Sequence, residues 1–207
     1  MRRSSIFIIL CSCTEYGLHS PYTGSTGGPD SEPSASNAPT HRSTTQDTWT
    51  VTQSGGVDVL FFGDTSGSMS AELQTLGTEI QTFVDRLDDH VKDWQILAVT
   101  GPDGCGVHGV LRPEDTDYAT HFAEAITTPP GQDLVDEWGL YNVTSAMMQT
   151  RQGDCNEGFV RDDAVLHIVF ISDEDDNSPG WDSDDPEYWL DYVNQITAVK
   201  GSADQIR

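Results

Sequence analysis

Three continuous apolar runs, separated by segments with helical periodicity, constrain the fold of this chain more than any other feature. The runs are VDVLFF at 57–62, WQILAVT at 94–100 and AVLHIVFIS at 164–172. Their β-branched and aromatic residues are typical of strands that are covered on both faces. Because helical segments lie between them, we expect an α/β fold with a Rossmann-like, doubly wound and mostly parallel sheet flanked by helices.

The helices are predicted from apolar residues that recur at spacings of three and four. The last of them begins in a stretch of acids with one proline, which is typical of a first helical turn. A Gly-containing segment at 105–111 predicts a hairpin at one edge of the sheet. The four segments with a helical pattern are 73–87, 118–125, 140–147 and 184–196.

Residues 1–13 have the features of a secretion signal. Arg2 and Arg3 precede the short apolar run IFIIL, and the LCSC that follows resembles the lipobox of bacterial lipoproteins, with Cys13 as the acylated residue. The apolar run is too short to span a bilayer, so we expect a lipid anchor, with simple secretion as the alternative. Because Thr14 follows Cys13 where an Asp would favour inner-membrane retention, the resemblance implies the outer membrane or the cell surface.

A long polar segment separates this signal from the apolar runs. Residues 14–55 are rich in Gly, Ser, Thr, Pro and Asn and show no apolar period. Such a composition cannot bury enough apolar surface to offset the entropy lost on ordering. We therefore expect a disordered tether with an r.m.s. reach of roughly 35 Å, followed by one folded domain at 56–207.

The four cysteines divide between the signal and the folded domain. Cys11 would leave with the signal and Cys13 would carry the lipid, which leaves Cys105 and Cys155. Neither lies in a CxxC or a Cys/His metal pattern. In an oxidising compartment they are expected to form a disulfide, and two free thiols are the alternative.

Small oxygen-bearing side chains follow two of the apolar runs. Asp64, Ser66 and Ser68 come after the first run, and Asp173 comes directly after the third. The carboxyl ends of parallel strands meet at one edge of a sheet, where ligands bind. Carboxylate and hydroxyl oxygens are ligands that Mg²⁺ and Ca²⁺ prefer. The net charge of -24 also attracts cations and repels nucleic acid.

The stretches VDVLFFGDTSGSM and LHIVFISDEDD together resemble the von Willebrand factor A domain, in particular its bacterial secreted branch. DTSGSMS is similar to the metal-ion-dependent adhesion site of that family. The resemblance covers about 56–207 and implies a non-enzymatic adhesion module that binds a carboxylate of a protein partner through Mg²⁺, Mn²⁺ or Ca²⁺. It implies that Asp64, Ser66 and Ser68 supply the first metal loop and Asp173 the third.

The chain departs from this family in several places. The family has a threonine in its second metal loop, and here Thr127, Thr128, Asp136 and Glu137 all remain candidates, with Thr128 and Glu137 as the leading ones. Gly63 stands where the family more often has a branched apolar residue. The family also continues with another strand and helix, so we expect the domain to be short by its last elements or to be a fragment.

The acidic run after the third strand offers a second interpretation. Asp173, Asp175 and Asn177 have the spacing of an EF-hand loop, and Glu174 and Asp176 could support a Ca²⁺ ion beside them. However, Ser178 occupies the position at which such a loop requires glycine, and Asp184 the position of its usual Glu. We therefore expect a plain solvated acidic loop, with the second cation site as the alternative.

Other functions remain open from the residues alone. The segment 64–68 could simply cap the helix that follows it. The domain could be a structural scaffold of an envelope assembly, with a structural metal or none. A metal-dependent hydrolase is the third reading, but the chain has no HExxH, GxSxG or P-loop motif. The dehalogenase-type phosphatases need a second Asp where this chain has Ser66.

Overall fold

The computed structural model describes the backbone of residues 9–10 and all atoms of residues 55–128, 138–179 and 187–207. Cys13, nearly all of the 14–55 segment, Asp136, Glu137 and the predicted helix start at 184–186 lie outside the described residues. The strands are β1 (Ile9–Leu10), β2 (Val57–Gly63), β3 (Trp94–Val99) and β4 (Val165–Ile171). The helices are α1 (Ser70–Asp88), α2 (Tyr118–Thr127), α3 (Gly139–Met148) and α4 (Trp189–Lys200).

The three predicted apolar runs form an all-parallel open sheet in the order β4–β2–β3. Val57 of β2 lies opposite Trp94 of β3 on one side and opposite Val165 of β4 on the other, so the three strands start at the same level. The backbone of β1 pairs antiparallel with β4 along its other edge, with Ile9 opposite Phe170. The predicted α/β class with a parallel sheet is therefore confirmed.

Helices cover both faces of this sheet. Val57, Val59 and Phe61 point to one face and pack with apolar residues of α1 and α2. Leu60 and Phe62 point to the other face and pack with α3 and α4. The strands are buried on both faces because successive side chains alternate, which explains why their sequences are continuously apolar. Among the described helices, none is both long and apolar enough to cross a membrane.

One residue of the first apolar run is a buried acid. Asp58 of β2 is completely buried, and Arg161 donates to its carboxylate from Nε at 2.7 Å and from the backbone N–H at 3.1 Å. Arg161 also contacts Asp93. Lys200, at the end of α4, donates to the carbonyl oxygens of Arg161 and Ala164. Buried charges require such partners, and these join β2, β4 and α4 at the amino end of the sheet.

The cysteine prediction is confirmed, whereas the predicted edge hairpin is reduced to a single pairing. Cys105 and Cys155 form a disulfide with a Cα–Cα distance of 5.7 Å. Asn156, next to it, is completely buried and donates to the carbonyl oxygens of Gly104 and Ala146. In the predicted hairpin, only Leu111 pairs with the sheet, as an isolated antiparallel bridge to Ile96. The disulfide and Asn156 hold the rest of this segment against α3 instead.

Candidate metal centre

The loops that follow β2 and β4 meet at the carboxyl edge of the sheet. β2 ends at Gly63 and β4 ends at Ile171, and these two residues lie opposite each other. The ladder continues one step further, since the N–H of Asp64 donates to the carbonyl of Ile171 at 3.0 Å. Asp64 and Asp173 are therefore brought to the same place by the register of two adjacent parallel strands.

Asp64 is held in one orientation by both of its carboxylate oxygens. Its side chain is largely buried, with 5% of the residue exposed. Oδ1 accepts from the N–H of Ser66 at 2.8 Å, and Oδ2 accepts from the hydroxyl of Ser172 at 2.7 Å. Each oxygen keeps a second lone pair. The carboxylate is thus fixed and still able to face an ion or an ion-bound water.

A row of oxygens runs from the first loop to the third. The hydroxyls of Ser66 and Ser68 are 3.1 Å apart, and the hydroxyl of Ser68 lies 3.2 Å from Oδ1 of Asp173. These separations exceed the 2.7–2.8 Å that is common for hydrogen bonds between oxygens. Neighbouring ligands of an octahedral Mg²⁺, at about 2.1 Å from the metal, would lie about 3.0 Å apart. The spacing of this oxygen row therefore fits the shell of a small hard cation.

The helix-capping alternative does not describe this loop. A single 3₁₀ turn at Gly67–Met69 joins β2 to α1, and Ser66 precedes it without a side-chain capping bond. α1 likewise starts at Ser70 without a side-chain cap. The hydroxyls of Ser66 and Ser68 contact each other, and that of Ser68 also contacts Asp173, so neither hydroxyl is used as a helix cap.

The candidates for the second loop are divided between described and undescribed residues. The hydroxyl of Thr128 donates to the carbonyl of Glu124 at 2.6 Å, and that of Thr127 to the carbonyl of Ala123 at 2.6 Å. Both threonines thus satisfy the last turn of α2, and neither hydroxyl is directed to the oxygen row in this arrangement. Glu137 lies outside the described residues, so the second-loop assignment stays a prediction.

The loop after β4 forms an acidic wall beside the oxygen row. Asp175 is exposed and lines an open cavity of about 770 Å³ together with Asp173, Glu174, Asp176, Asn177 and Tyr188. Asp176 is occupied otherwise, since its carboxylate accepts from the N–H groups of Leu140 and Ser178. Asp176 is therefore not free to support a second cation in an EF-hand-like arrangement.

Three polar residues near the site have roles that sequence reasoning missed. Ser172 bridges the two loops, because its hydroxyl donates to Asp64 and accepts from the N–H of Glu174 at 3.1 Å. Asp176 and Ser178 bind the start of α3, where the Ser178 hydroxyl accepts from the N–H of Tyr141 at 2.9 Å. The only sequence signal was that all three lie within five residues of Asp173.

The donor set determines which cation the site would take. Asp64 and Asp173 are carboxylates and Ser66 and Ser68 are hydroxyls, so all four donors are hard oxygens, which suit Mg²⁺, Mn²⁺ or Ca²⁺ better than softer metals. Across the described parts of the chain, no group of three or more His, Cys, Asp or Glu side chains is placed to hold a metal. A cation at this edge would therefore need the serine hydroxyls as ligands beside the carboxylates.

Known proteins offer no further guide to the function. Comparison of the chain with protein-family models, with curated proteins and with solved structures found no match. The functional inference accordingly rests on the fold and on the geometry of the candidate metal centre.

Proposed function

We propose that this chain is an extracytoplasmic, von Willebrand factor A-like binding module that holds a protein partner through a divalent cation. Asp64, Ser66, Ser68 and Asp173 would hold the cation, and a carboxylate of the partner would complete its shell. The domain is not an enzyme in this proposal. Lipid on Cys13 would attach it to the outer membrane or cell surface, with the 14–55 segment as a tether. Residues 1–12 would then be removed, so β1 would be lost and the mature sheet would consist of β4, β2 and β3.

One observation carries the proposal: the oxygens of two separate loops converge at the carboxyl edge of a parallel sheet. The Ser68 hydroxyl lies 3.1 Å from that of Ser66 and 3.2 Å from the Asp173 carboxylate, although Asp173 is 105 residues further along the chain. Hydroxyl and carboxylate oxygens gathered in this way offer several hard donors to one small cation.

The number of donors explains why a partner would bind. Four donors leave about two positions of an octahedral shell for water or a partner, and the two serine hydroxyls are neutral and add no negative charge. Bound water exchanges readily for a carboxylate, which adds charge-assisted contact to the ion. The cation supplies electrostatic attraction at the open positions, and the protein residues hold and orient it.

Calorimetric titration of the purified chain tests the metal. After treatment with EDTA and dialysis, the wild type should bind one Mn²⁺ or Mg²⁺ per chain, and a Ser66→Ala/Ser68→Ala variant should bind at least about tenfold more weakly, since two ligands are lost. Ser70→Ala is the matched control, because the Ser70 hydroxyl points to the carbonyl of Gly67 instead. Absence of binding in the wild type, or equal binding in the double variant, would overturn the proposal.

A second experiment separates the binding module from a scaffold with a structural metal. Immobilised wild type and the Ser66→Ala/Ser68→Ala variant are exposed to extracts of the native cell surface in Mn²⁺ or in EDTA. The proposal predicts a partner that is retained only by the wild type and only in Mn²⁺. A large rise in melting temperature with Mn²⁺, together with no EDTA-sensitive partner, would favour the scaffold.

A further inference from the structure

We infer that Asp176 is the positioning residue of the metal centre: it locks the loop that carries Asp173 onto the start of α3. This inference rests on the proposed function, because it concerns how the same site is held in shape. It assigns to Asp176 a role other than the support of a second cation.

The Asp176 carboxylate is surrounded by donors from three elements. Oδ2 accepts from the N–H of Leu140 at 2.8 Å, in the first turn of α3. Oδ1 accepts from the N–H of Ser178 at 3.0 Å and from the hydroxyl of Tyr188 at 3.1 Å. An acid at a helix N-terminus satisfies an otherwise unpaired N–H and is favoured by the helix dipole. Three donors on one carboxylate make it a structural anchor and a poor metal ligand.

The residues around Asp176 are adapted to this contact. A Cβ atom on Gly139 would lie 3.1 Å from Oδ2 of Asp176 and 3.1 Å from Cδ1 of Phe170, so glycine allows the helix to approach the loop this closely. Burial, and next the charge of Asp176, raise the pKa of Tyr188 to about 12. Tyr188 therefore keeps its proton as a donor to Asp176 at any ordinary pH.

The anchor connects the third loop to α3, the helix that follows the candidate second-loop residues. Asp173 lies three residues before Asp176 in the same loop, so fixing Asp176 restricts where the Asp173 carboxylate can reach. α3 begins at Gly139, two residues after Glu137, a leading candidate for the second-loop ligand. Thr128, which precedes the candidate second-loop residues, is also held at this edge of the sheet, because the hydroxyl of Thr100 after β3 donates to its carbonyl oxygen. One carboxylate thus sets the distance between the third loop and the helix that follows the second.

Mn²⁺ titration of folded variants tests the inference. Asp176→Asn keeps the shape of the side chain but offers only one acceptor oxygen, so it should weaken Mn²⁺ binding by about tenfold, as loss of an outer partner of a metal ligand does. Asp191→Asn removes the same charge from an exposed position in the first turn of α4 and should change the affinity by less than about twofold. Gly139→Ala places a methyl group against the Asp176 carboxylate and should also weaken Mn²⁺ binding. This variant replaces Asp176→Asn in the test if Asp176→Asn does not fold.

The readout separates positioning from stability and from the proposed function. Each titration is made well below the melting temperature, where far-ultraviolet circular dichroism shows the native helix content, so that a purely structural role would leave the Mn²⁺ dissociation constant unchanged. Folded Asp176→Asn or Gly139→Ala protein with wild-type affinity would overturn the inference while leaving the metal centre intact. Equal Mn²⁺ binding by wild type and the Ser66→Ala/Ser68→Ala variant would remove the proposed function itself.

Discussion

Asp64 is the most firmly oriented residue of the candidate metal centre, because both of its carboxylate oxygens are held by hydrogen bonds before any ion binds. The Ser66 N–H fixes one oxygen locally, and the Ser172 hydroxyl fixes the other from the loop after β4, 108 residues further along the chain. Preorganised donors lose less freedom when a ligand binds. The place of Asp64 at the carboxyl edge of the sheet was predictable because it follows an apolar strand, but its contact with Ser172 in the third loop was not.

Ser172→Ala is the sharpest single-residue test of that orientation. Loss of the hydroxyl would free one oxygen of Asp64 and leave the N–H of Glu174 without this acceptor, while every proposed ligand remains. We expect Mn²⁺ affinity to fall by about tenfold with little change in melting temperature. Calorimetric titration with Mn²⁺ measures the affinity of Ser172→Ala, and Ser70→Ala is titrated in parallel as the control. An unchanged dissociation constant in Ser172→Ala would show that Ser172 does not orient the site.

At the scale of elements, the strands and helices were largely predictable because apolar period is a local property of the sequence. The runs at 57–62, 94–100 and 164–172 correspond to β2, β3 and β4, and the four helical segments correspond to α1 to α4. The last helix begins at Trp189, later than the predicted start at 184. Contacts over long sequence distances were not predictable. Asp58 was concealed within an apolar run, and its partner Arg161 lies 103 residues away. The cap of α3 by Asp176 is equally non-local.

Gly63 illustrates how elements impose a residue choice that the family resemblance did not anticipate. A Cβ atom there would lie 2.7 Å from Cδ1 of Ile126 and 3.2 Å from Cδ2 of Leu73, so glycine lets α1 and α2 pack against the end of β2. Gly63→Ala should lower the free energy of unfolding by about 1–3 kcal/mol, as overpacking does. Gly67→Ala is the matched control, because a Cβ atom at Gly67 meets nothing within 4 Å. Urea unfolding measures both, and equal stability of the two variants would contradict this packing.

Two features stabilise the molecule as a whole, far from the carboxyl edge. The first is the pair formed by Asp58 and Arg161. Arg161→Met should lower the free energy of unfolding by about 3–5 kcal/mol at neutral pH, because the buried carboxylate of Asp58 would lose its partner. Arg151→Met, at an exposed position, should be nearly neutral. Urea unfolding at several pH values gives the comparison.

The pH dependence of that loss follows from the titration of Asp58. Burial raises the pKa of Asp58 above its ordinary value of 3.8, and Arg161 opposes this shift. A carboxyl group whose pKa is raised on folding stabilises the folded state most at pH values below its pKa in the unfolded chain. This stabilisation is lost as the pH rises through the pKa of the folded state. Without Arg161 the pKa of Asp58 in the folded state rises further. The difference in unfolding free energy between wild type and Arg161→Met should therefore shrink as the pH falls toward about 4. A deficit that is constant with pH would contradict this account.

The second feature is the disulfide, which joins residues separated by 50 positions. A Cys105→Ser/Cys155→Ser variant should lose about 2–4 kcal/mol of unfolding free energy, because the unfolded chain is then less constrained. Peptide mapping of secreted, non-reduced protein should find both cysteines in one cross-linked fragment. Alkylation of both thiols in native, non-reduced material would contradict the bond.

An anomalous difference map from crystals grown in Mn²⁺ would show whether Ser66, Ser68 and Asp173 hold one cation between them. We expect one strong peak within about 2.2 Å of the two serine hydroxyls and of an Asp173 oxygen or its bound water. A peak confined to the acidic wall at Glu174 and Asp175, or no peak at saturating Mn²⁺, would contradict it.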